Sequence, residues 1–311
     1  MTTIAALDPA LLAVLRCPLC AGELTEREGA LACAGCGRSF EVRDGIPLLV
    51  HEDLPGAAAK LREAEAWPEK ARAEGWYEPD DEVDSALPFP HREIAGFGDL
   101  AWVATGHSFQ VLLDRYVSEL KADGNIHFQR WKGMSPSPRV LEVGAAKCWA
   151  APHWAARGWD YTATDVLVDP CIGLGRGAYY GSFARVQADG EHLPFRDASF
   201  DLVYSVATLH HALDLGRMVG ELARVVRPGG VVAALNEGTR GLRDSGDAPQ
   251  QQAERALGIN EHVHTPWAYL AAFRKAGLRV RRAERADGYA LPGLAGALSR
   301  LPKLGTTLGA L

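Results

Sequence analysis

The sequence predicts an α/β protein, a doubly wound and mostly parallel sheet preceded by a small zinc ribbon at the N-terminus. Two observations carry this. Two Cys-x2-Cys pairs, Cys17-Pro-Leu-Cys20 and Cys33-Ala-Gly-Cys36, sit at the front of the chain. From Arg139 onward, short apolar runs that end in an acid alternate with amphipathic stretches, the pattern of parallel strands joined by helices. With 311 residues, 47% of them hydrophobic and 23% charged, the chain has the profile of an ordinary globular protein with one large domain and a smaller one.

The paired cysteines predict one structural Zn²⁺ held by Cys17, Cys20, Cys33 and Cys36. Each turn presents two thiolates on one side, and two such turns, brought together by a hairpin through GELTEREGALA, close a tetrahedron. Two disulfides are the competing reading. The opening MTTIAALDPALLAVLRCP lacks the basic region and cleavage site of a secretion signal, which sets the expectation of a cytoplasmic chain, where disulfides are rare. Four sulfur ligands leave no open position, so the ion is expected to replace the core that a module of about 50 residues cannot build. Arg38–Val42 and Ile46–Leu49 then read as two further strands.

From 53 to 105 a helical and irregular linker is expected. Pro55, Pro68, Pro79, Pro88 and Pro90 punctuate it, so no single regular element should span it. Its aromatic residues, Trp67, Trp76, Tyr77, Phe89, Phe97 and Trp102, would either pack between domains or lid an apolar pocket. Asp80, Asp81, Glu82 and Asp84 are expected to form a solvated acidic face. Phe109–Leu120 has helical spacing and should precede the first strand of the main domain.

That strand is Arg139-Val-Leu-Glu-Val-Gly144, followed by a tight turn into a helix through AAKCWAAPHWAARG. Gly144, having no side chain, permits backbone N–H groups to approach a ligand. The second strand ends at Asp165, about twenty residues on, where an acid can hold both hydroxyls of a ribose. A third, Arg185–Asp189, ends in an acid that can accept from the amine of adenine. Phe200–Ser205 is a fourth strand, ALDLGRMVGELARVV a helix, and Arg227-Pro-Gly-Gly230 a turn before a fifth strand, VVAALNE. The glycines of CIGLGRG lack the strand and the Lys-Ser/Thr ending of a phosphate loop.

LEVGA, TATD, QADGEHLPF, SFDLVYSVATLHH and LARVVRPGG, in this order, resemble class I S-adenosylmethionine-dependent methyltransferases of the small-molecule, type 11-like group. The resemblance covers Arg139 to Gly230, with a weaker echo to Val280. It implies a Rossmann-like sheet with Glu142, Gly144 and Ala146 beside the methionine part of the cofactor. Asp165 would then meet the ribose, Asp189 and Gly190 the adenine, and the backbone near Ser205 and Val206 the amino-acid end. Ala146 and Cys148 depart from the pattern, which usually has glycine there. Upstream, LAVLRCPLC, CAGCGRSF and DGIPLL resemble the small zinc-ribbon activators of tRNA, rRNA and protein methyltransferases. That resemblance implies a stabilising module fused to its client.

The function expected is methyl transfer to an oxygen or nitrogen of a small molecule such as a sugar, phenol or amine. An RNA base methyltransferase that docks through the ribbon, a cofactor-binding scaffold without turnover, and other chemistry on the same cofactor stand as alternatives. Net charge is −6, and residues 1–52 hold four arginines against seven acids, which disfavours a phosphate backbone without excluding it. The basic run Arg274–Arg285 keeps RNA open. His210 and His211 follow the fourth strand, where a histidine can accept the proton of the methylated group; His264 and His262 are rivals. The expected divisions are 1–52 for the ribbon, 53–105 for the linker, 106–285 for the methyltransferase domain and 286–311 for an apolar tail packed on the rest. No run is apolar for the roughly 18 residues that a membrane span needs, and the sequence leaves the oligomeric state open.

Overall fold

The computed structural model describes residues 7–89, 99–116, 137–240, 249–281 and 283. The tail from 286 onward, Phe97, Arg282 and Arg285 lie outside them. The ribbon begins with α1 (Pro9–Val14), whose cap Asp8 accepts from the Ala10 N–H at 2.8 Å and whose proline stands where no N–H is needed. Two hairpins follow, β1 (Leu24–Arg27) with β2 (Ala30–Cys33), and β3 (Ser39–Arg43) with β4 (Ile46–Pro47). Their turns, Glu28-Gly29 and Asp44-Gly45, have positive φ at both positions, the geometry whose twist matches the flanking strands.

The ribbon is clamped to the rest of the chain at two places. Leu15 bridges Phe195, with the Arg16 N–H donating to the Pro194 carbonyl at 2.9 Å and Arg196 N–H to the Val14 carbonyl at 2.8 Å. Leu48 bridges Gln187 in parallel, and the Leu49 N–H donates to the Gln187 carbonyl at 3.1 Å. Leu15, Leu31 and Leu49 are buried in one cluster with Val186, Phe195 and Phe200. Each such leucine contributes roughly 1.5–3 kcal/mol by burial, so the ribbon core is an extension of the main core.

No single element spans the described part of the linker, as expected, but Pro68 does not interrupt the helix that contains it. α2 (Ala57–Glu74) runs unbroken for 18 residues with Pro68 inside it. Pro68 forfeits one helical hydrogen bond, but it is buried together with Ala66 and Ala71, and this packing holds the helix through the defect. α3 (Asp81–Ala86) is capped by Asp80. α4 (Asp99–Val111) starts well before the expected Phe109 and continues as a π-helical turn over Leu112–Tyr116; residues 117–120 are outside the described set.

The main sheet contains β5 (Arg139–Val143), β6 (Asp160–Asp165), β7 (Ala184–Gln187), β8 (Phe200–Val206) and β9 (Val226–Leu235), in the order β7-β6-β5-β8-β9 and all parallel. Helices α5 (Ala151–Ala155), α6 (Leu215–Val225), α7 (Pro249–Ala256) and α8 (Pro266–Lys275) accompany it. β5 is buried at every position, as a central strand covered on both faces should be. One face meets α6, α8 and the ribbon; the other meets Phe109, Trp149, Trp154 and Trp159. Strand order reverses between β5 and β8, which opens a crevice at the carboxyl ends of these strands. β9 begins at Val226 and so includes Arg227-Pro-Gly-Gly230, read from sequence as a turn. A register shift opposite Phe200 and Leu202 and a positive φ at Gly229 absorb it as a bulge. The GLGRG segment lies at a 3₁₀ helix, Leu174–Tyr180, with Leu174 buried.

Candidate active site and zinc ribbon

Four acids stand at or just beyond the carboxyl ends of parallel strands: Glu142 on β5, Asp165 on β6, Asp189 after β7 and Glu237 after β9. Glu142 is turned into the core. It accepts from the Tyr204 hydroxyl at 2.7 Å and from the Tyr161 hydroxyl, and Trp154 Nε1 donates to Tyr204 at 2.9 Å. Burial pushes its carboxyl up to about 7 against the pull of both tyrosines. It ties β5 to Tyr161 of β6 and Tyr204 of β8.

Asp165 ties down the adjacent loops, with Oδ2 accepting from the Ala146 N–H at 2.8 Å and Oδ1 from the Leu167 N–H at 2.9 Å. A carboxylate has about four acceptor positions, so a pair of vicinal hydroxyls can still be held. Asp189 is buried and accepts from the Glu191 N–H at 3.0 Å, with His192 Nδ1 at 2.8 Å. Behind it a Cβ on Gly190 would come 2.7 Å from Met218 Cε.

The turn after β5 demands glycine once: Gly144 has φ +79, and a Cβ there would fall 2.2 Å from Thr208 Oγ1. Ala146 and Cys148 keep positive φ values of 41 and 62 although they carry side chains. The loop has thus retained a glycine-type path at a cost of about 1 kcal/mol per residue. Cys148 is fully buried and serves packing. The Ser205 Oγ is buried without a hydrogen-bond partner among the described residues, and the Val206 carbonyl accepts from Thr208 Oγ1 at 2.8 Å.

α2 lies across these strand ends. Ala71 packs with Leu167 and Ile172, and Trp67, Trp76 and Tyr77 pack against them. Beneath α2 is a polar cluster. His210 Nδ1 is 2.9 Å from Glu237 Oε2, and the other oxygen of Glu237 accepts from the Thr208 and Leu209 N–H groups at 3.0 and 3.1 Å. His211 Nδ1 is 2.7 Å from the Asn260 carbonyl and 2.9 Å from Glu63 Oε1. Burial works to lower the His211 pKa, but the Glu63 hydrogen bond and charge outweigh it and lift it to about 8. Glu261 Oε2 stands 3.8 Å from His210 Nε2 and 3.9 Å from His211 Nδ1. The His262 N–H donates to the His210 carbonyl at 2.7 Å. His264 packs edge-on to Tyr269, 5.4 Å between centroids, with Nε2 buried and unpartnered among the described residues.

Glu237, Glu63 and Glu261 were not singled out in the sequence. Glu237 obeys the strand-end rule that marked Glu142, Asp165 and Asp189, and the VVAALNE run carried that signal. Glu63 reaches His211 only because α2 folds over the sheet, and nothing local announces it.

In the ribbon, the sulfurs of Cys17 and Cys36 are 3.7 Å apart and those of Cys20 and Cys33 3.4 Å. An ideal tetrahedron with bonds of about 2.3 Å has edges near 3.8 Å, so the four donors fit Zn²⁺. A Cβ on Gly22 would lie 2.9 Å from Cys33 Sγ, which is why the loop is bare there.

Residues 141–234 match the family described as methyltransferase domain, and residues 8–45 match Trm112p-like protein. The chain carries a methyltransferase domain behind a Trm112p-like module. The methyltransferase domain is 35% identical over 120 residues to 27-O-demethylrifamycin SV methyltransferase of Amycolatopsis mediterranei, covering 38% of this chain and 43% of that protein. It is 36% identical over 94 residues to the malonyl-[acyl-carrier protein] O-methyltransferase of Erwinia billingiae, covering 30% of this chain and 37% of that one. The chain therefore spans less than half the length of these two relatives. Among solved structures, a complex between the Haloferax volcanii Trm112 methyltransferase activator and a methyltransferase is 17% identical, covers 78% of this chain and 86% of that one, and has a TM-score of 0.45. No helix among the described residues is long and apolar enough to cross a membrane.

Proposed function

We propose that the chain transfers the methyl group of S-adenosylmethionine to an oxygen or nitrogen of a small molecule, and that its ribbon holds one structural Zn²⁺ through Cys17, Cys20, Cys33 and Cys36. The observation that carries the reading is the juxtaposition at one sheet edge of Asp165 and Asp189, suited to a nucleoside, with the His210–Glu237 pair. The methyltransferase domain match over 141–234 and the small-molecule and carrier-bound acceptors named for its relatives support it.

In this reading Asp165 holds the ribose, Asp189 and Gly190 border the adenine, and Gly144 and Ala146 face the methionine part with the backbone at Ser205 and Val206. Glu142 acts from below, by holding Tyr161 and Tyr204 of the neighbouring strands. The bound cofactor supplies an activated methyl group, so the protein has to align an acceptor in line, exclude water and deal with the acceptor's proton. Glu237 holds His210 Nδ1 and leaves Nε2 to meet that acceptor. α2 supplies the cover, with Trp67 5.9 Å from the His211 ring. The ribbon spends the residues beside α1 and β4, Leu15, Leu48 and Leu49, on the main domain, which favours a stabilising module over an RNA dock.

The test is transfer of labelled methyl from S-adenosylmethionine to a panel of hydroxylated and amino compounds. His210→Ala should lose turnover by roughly 100-fold while keeping cofactor affinity. Label appearing in ribosomal RNA in place of small molecules would overturn the reading.

A further inference from the structure

The polar cluster under α2 ends in two hydrogen-bond acceptors that face each other. Glu237 accepts from the Thr208 and Leu209 N–H groups and stands 2.9 Å from His210 Nδ1. Burial works to raise its pKa, but the His210 hydrogen bond and charge, with the two N–H groups, outweigh it and hold the carboxyl below its ordinary value. An ionised carboxylate has no hydrogen to give, so His210 Nδ1 carries the proton and the neutral ring presents a bare lone pair at Nε2. That lone pair stands 3.8 Å from Glu261 Oε2, beyond hydrogen-bond distance, and neither atom brings a hydrogen to the other.

Glu261 is 8% exposed, and among the described residues its carboxylate meets only the two histidines, at 3.8 and 3.9 Å. The His211 nitrogen on that side is spent on the Asn260 carbonyl at 2.7 Å and on Glu63 Oε1 at 2.9 Å. Lys60 is held by Glu191 at 3.3 Å and by the His211 carbonyl at 2.7 Å, and Arg255 Nε serves the Glu261 backbone carbonyl. A buried carboxylate so placed calls for a donor from outside the cluster. An alcohol brings one hydrogen and satisfies one of the two acceptors, whereas an ammonium brings two or three. Across the 3.8 Å gap, one nitrogen can stand about 2.8–2.9 Å from both atoms, and its charge strengthens each bond.

We infer that the methyl acceptor is a primary or secondary aliphatic amine, bound as its ammonium between Glu261 Oε2 and His210 Nε2. The inference rests on the methyltransferase reading and narrows its acceptor from oxygen or nitrogen to nitrogen. Glu261 anchors the cation. His210 Nε2 takes one N–H proton, the resulting imidazolium being held by Glu237, and this frees the nitrogen lone pair. That pair forms the new C–N bond as the sulfonium C–S bond breaks, and S-adenosylhomocysteine leaves with the electrons of the broken bond. The product is the methylated ammonium, still held by Glu261 through a remaining N–H, and the His210 proton passes to water.

The test is calorimetric titration of the full chain, saturated with S-adenosylhomocysteine, with aliphatic amines each paired with the alcohol of the same skeleton, 2-phenylethylamine with 2-phenylethanol and cyclohexylamine with cyclohexanol among them. Amines are expected to bind roughly 10–100-fold more tightly than their alcohols, the range of one hydrogen bond to a charged group. Glu261→Gln turns an amide donor toward His210 Nε2 and should abolish this preference, while Glu261→Asp, which keeps the charge, should retain part of it. S-adenosylhomocysteine affinity, measured on the same samples, reports that the variants are folded. Alcohols that bind as well as amines, a preference that survives in Glu261→Gln, or failure of every amine to bind the saturated wild type overturns the inference. Failure of the wild type to bind S-adenosylhomocysteine would instead count against the methyltransferase reading.

Discussion

Glu142 shows how a single residue can carry both a family signature and a local cost. Its carboxyl, pushed by burial up to about 7, lies above the usual value near 4.3. The folded state therefore keeps a proton that the unfolded chain has released, and stability falls as pH rises from about 4 to about 7. The loss is on the order of 3 kcal/mol, complete above the folded pKa. Glu142→Gln, which can still accept from both tyrosines, should remove this slope. Urea unfolding at pH 5 and pH 8 should show the variant gaining on the wild type with rising pH; parallel curves would mean the carboxyl is not held neutral. The same loop offers a second check. Ala146→Gly relieves a positive φ and should leave stability unchanged or raise it by up to about 1 kcal/mol, where a glycine in ordinary backbone would destabilise. A melting temperature several degrees lower would show that Ala146 is not strained.

At the level of elements, most of the sheet was legible because parallel strands buried on both faces read as apolar runs with an acid at the end. The cysteine pairs were legible because metal ligation is a local spacing. The misreadings have one physical source, tertiary packing that overrides local preference. Pro68 reads as a break, yet burial carries α2 through it; Arg227-Pro-Gly-Gly230 reads as a turn, yet pairing with β8 draws it into β9. Glu63 was invisible because its partner His211 is far away in sequence, whereas Glu237 was readable by the rule applied to the other strand ends. The ribbon's attachment by Leu48 and Leu49 to β7 was equally unsignalled. It predicts that Leu49→Pro, which removes the N–H donated to Gln187, frees the β4–β7 junction. Amide exchange at Val186 and Gln187 should then accelerate while the four-cysteine zinc is retained. Unchanged exchange would show that the Leu15–Phe195 clamp alone holds the ribbon.

For the whole molecule, the ribbon, the sheet and α2 form one continuous structure, with α2 over the loops at the strand ends and the ribbon paired to the end of β7. The ribbon pairs with Gln187, whose side chain donates to the Val166 carbonyl at 3.0 Å, one residue beyond Asp165. The module that resembles a separate activator is thus joined in cis to the loop proposed to hold the ribose. The crevice is proposed to bind S-adenosylmethionine through Asp165. Calorimetric titration of the wild type and of Asp165→Ala with S-adenosylhomocysteine tests it most directly. One site per chain is expected, weakened in the variant by on the order of 1–3 kcal/mol as two ribose hydrogen bonds are lost. No binding to the wild type, or equal affinity in the two proteins, would contradict it.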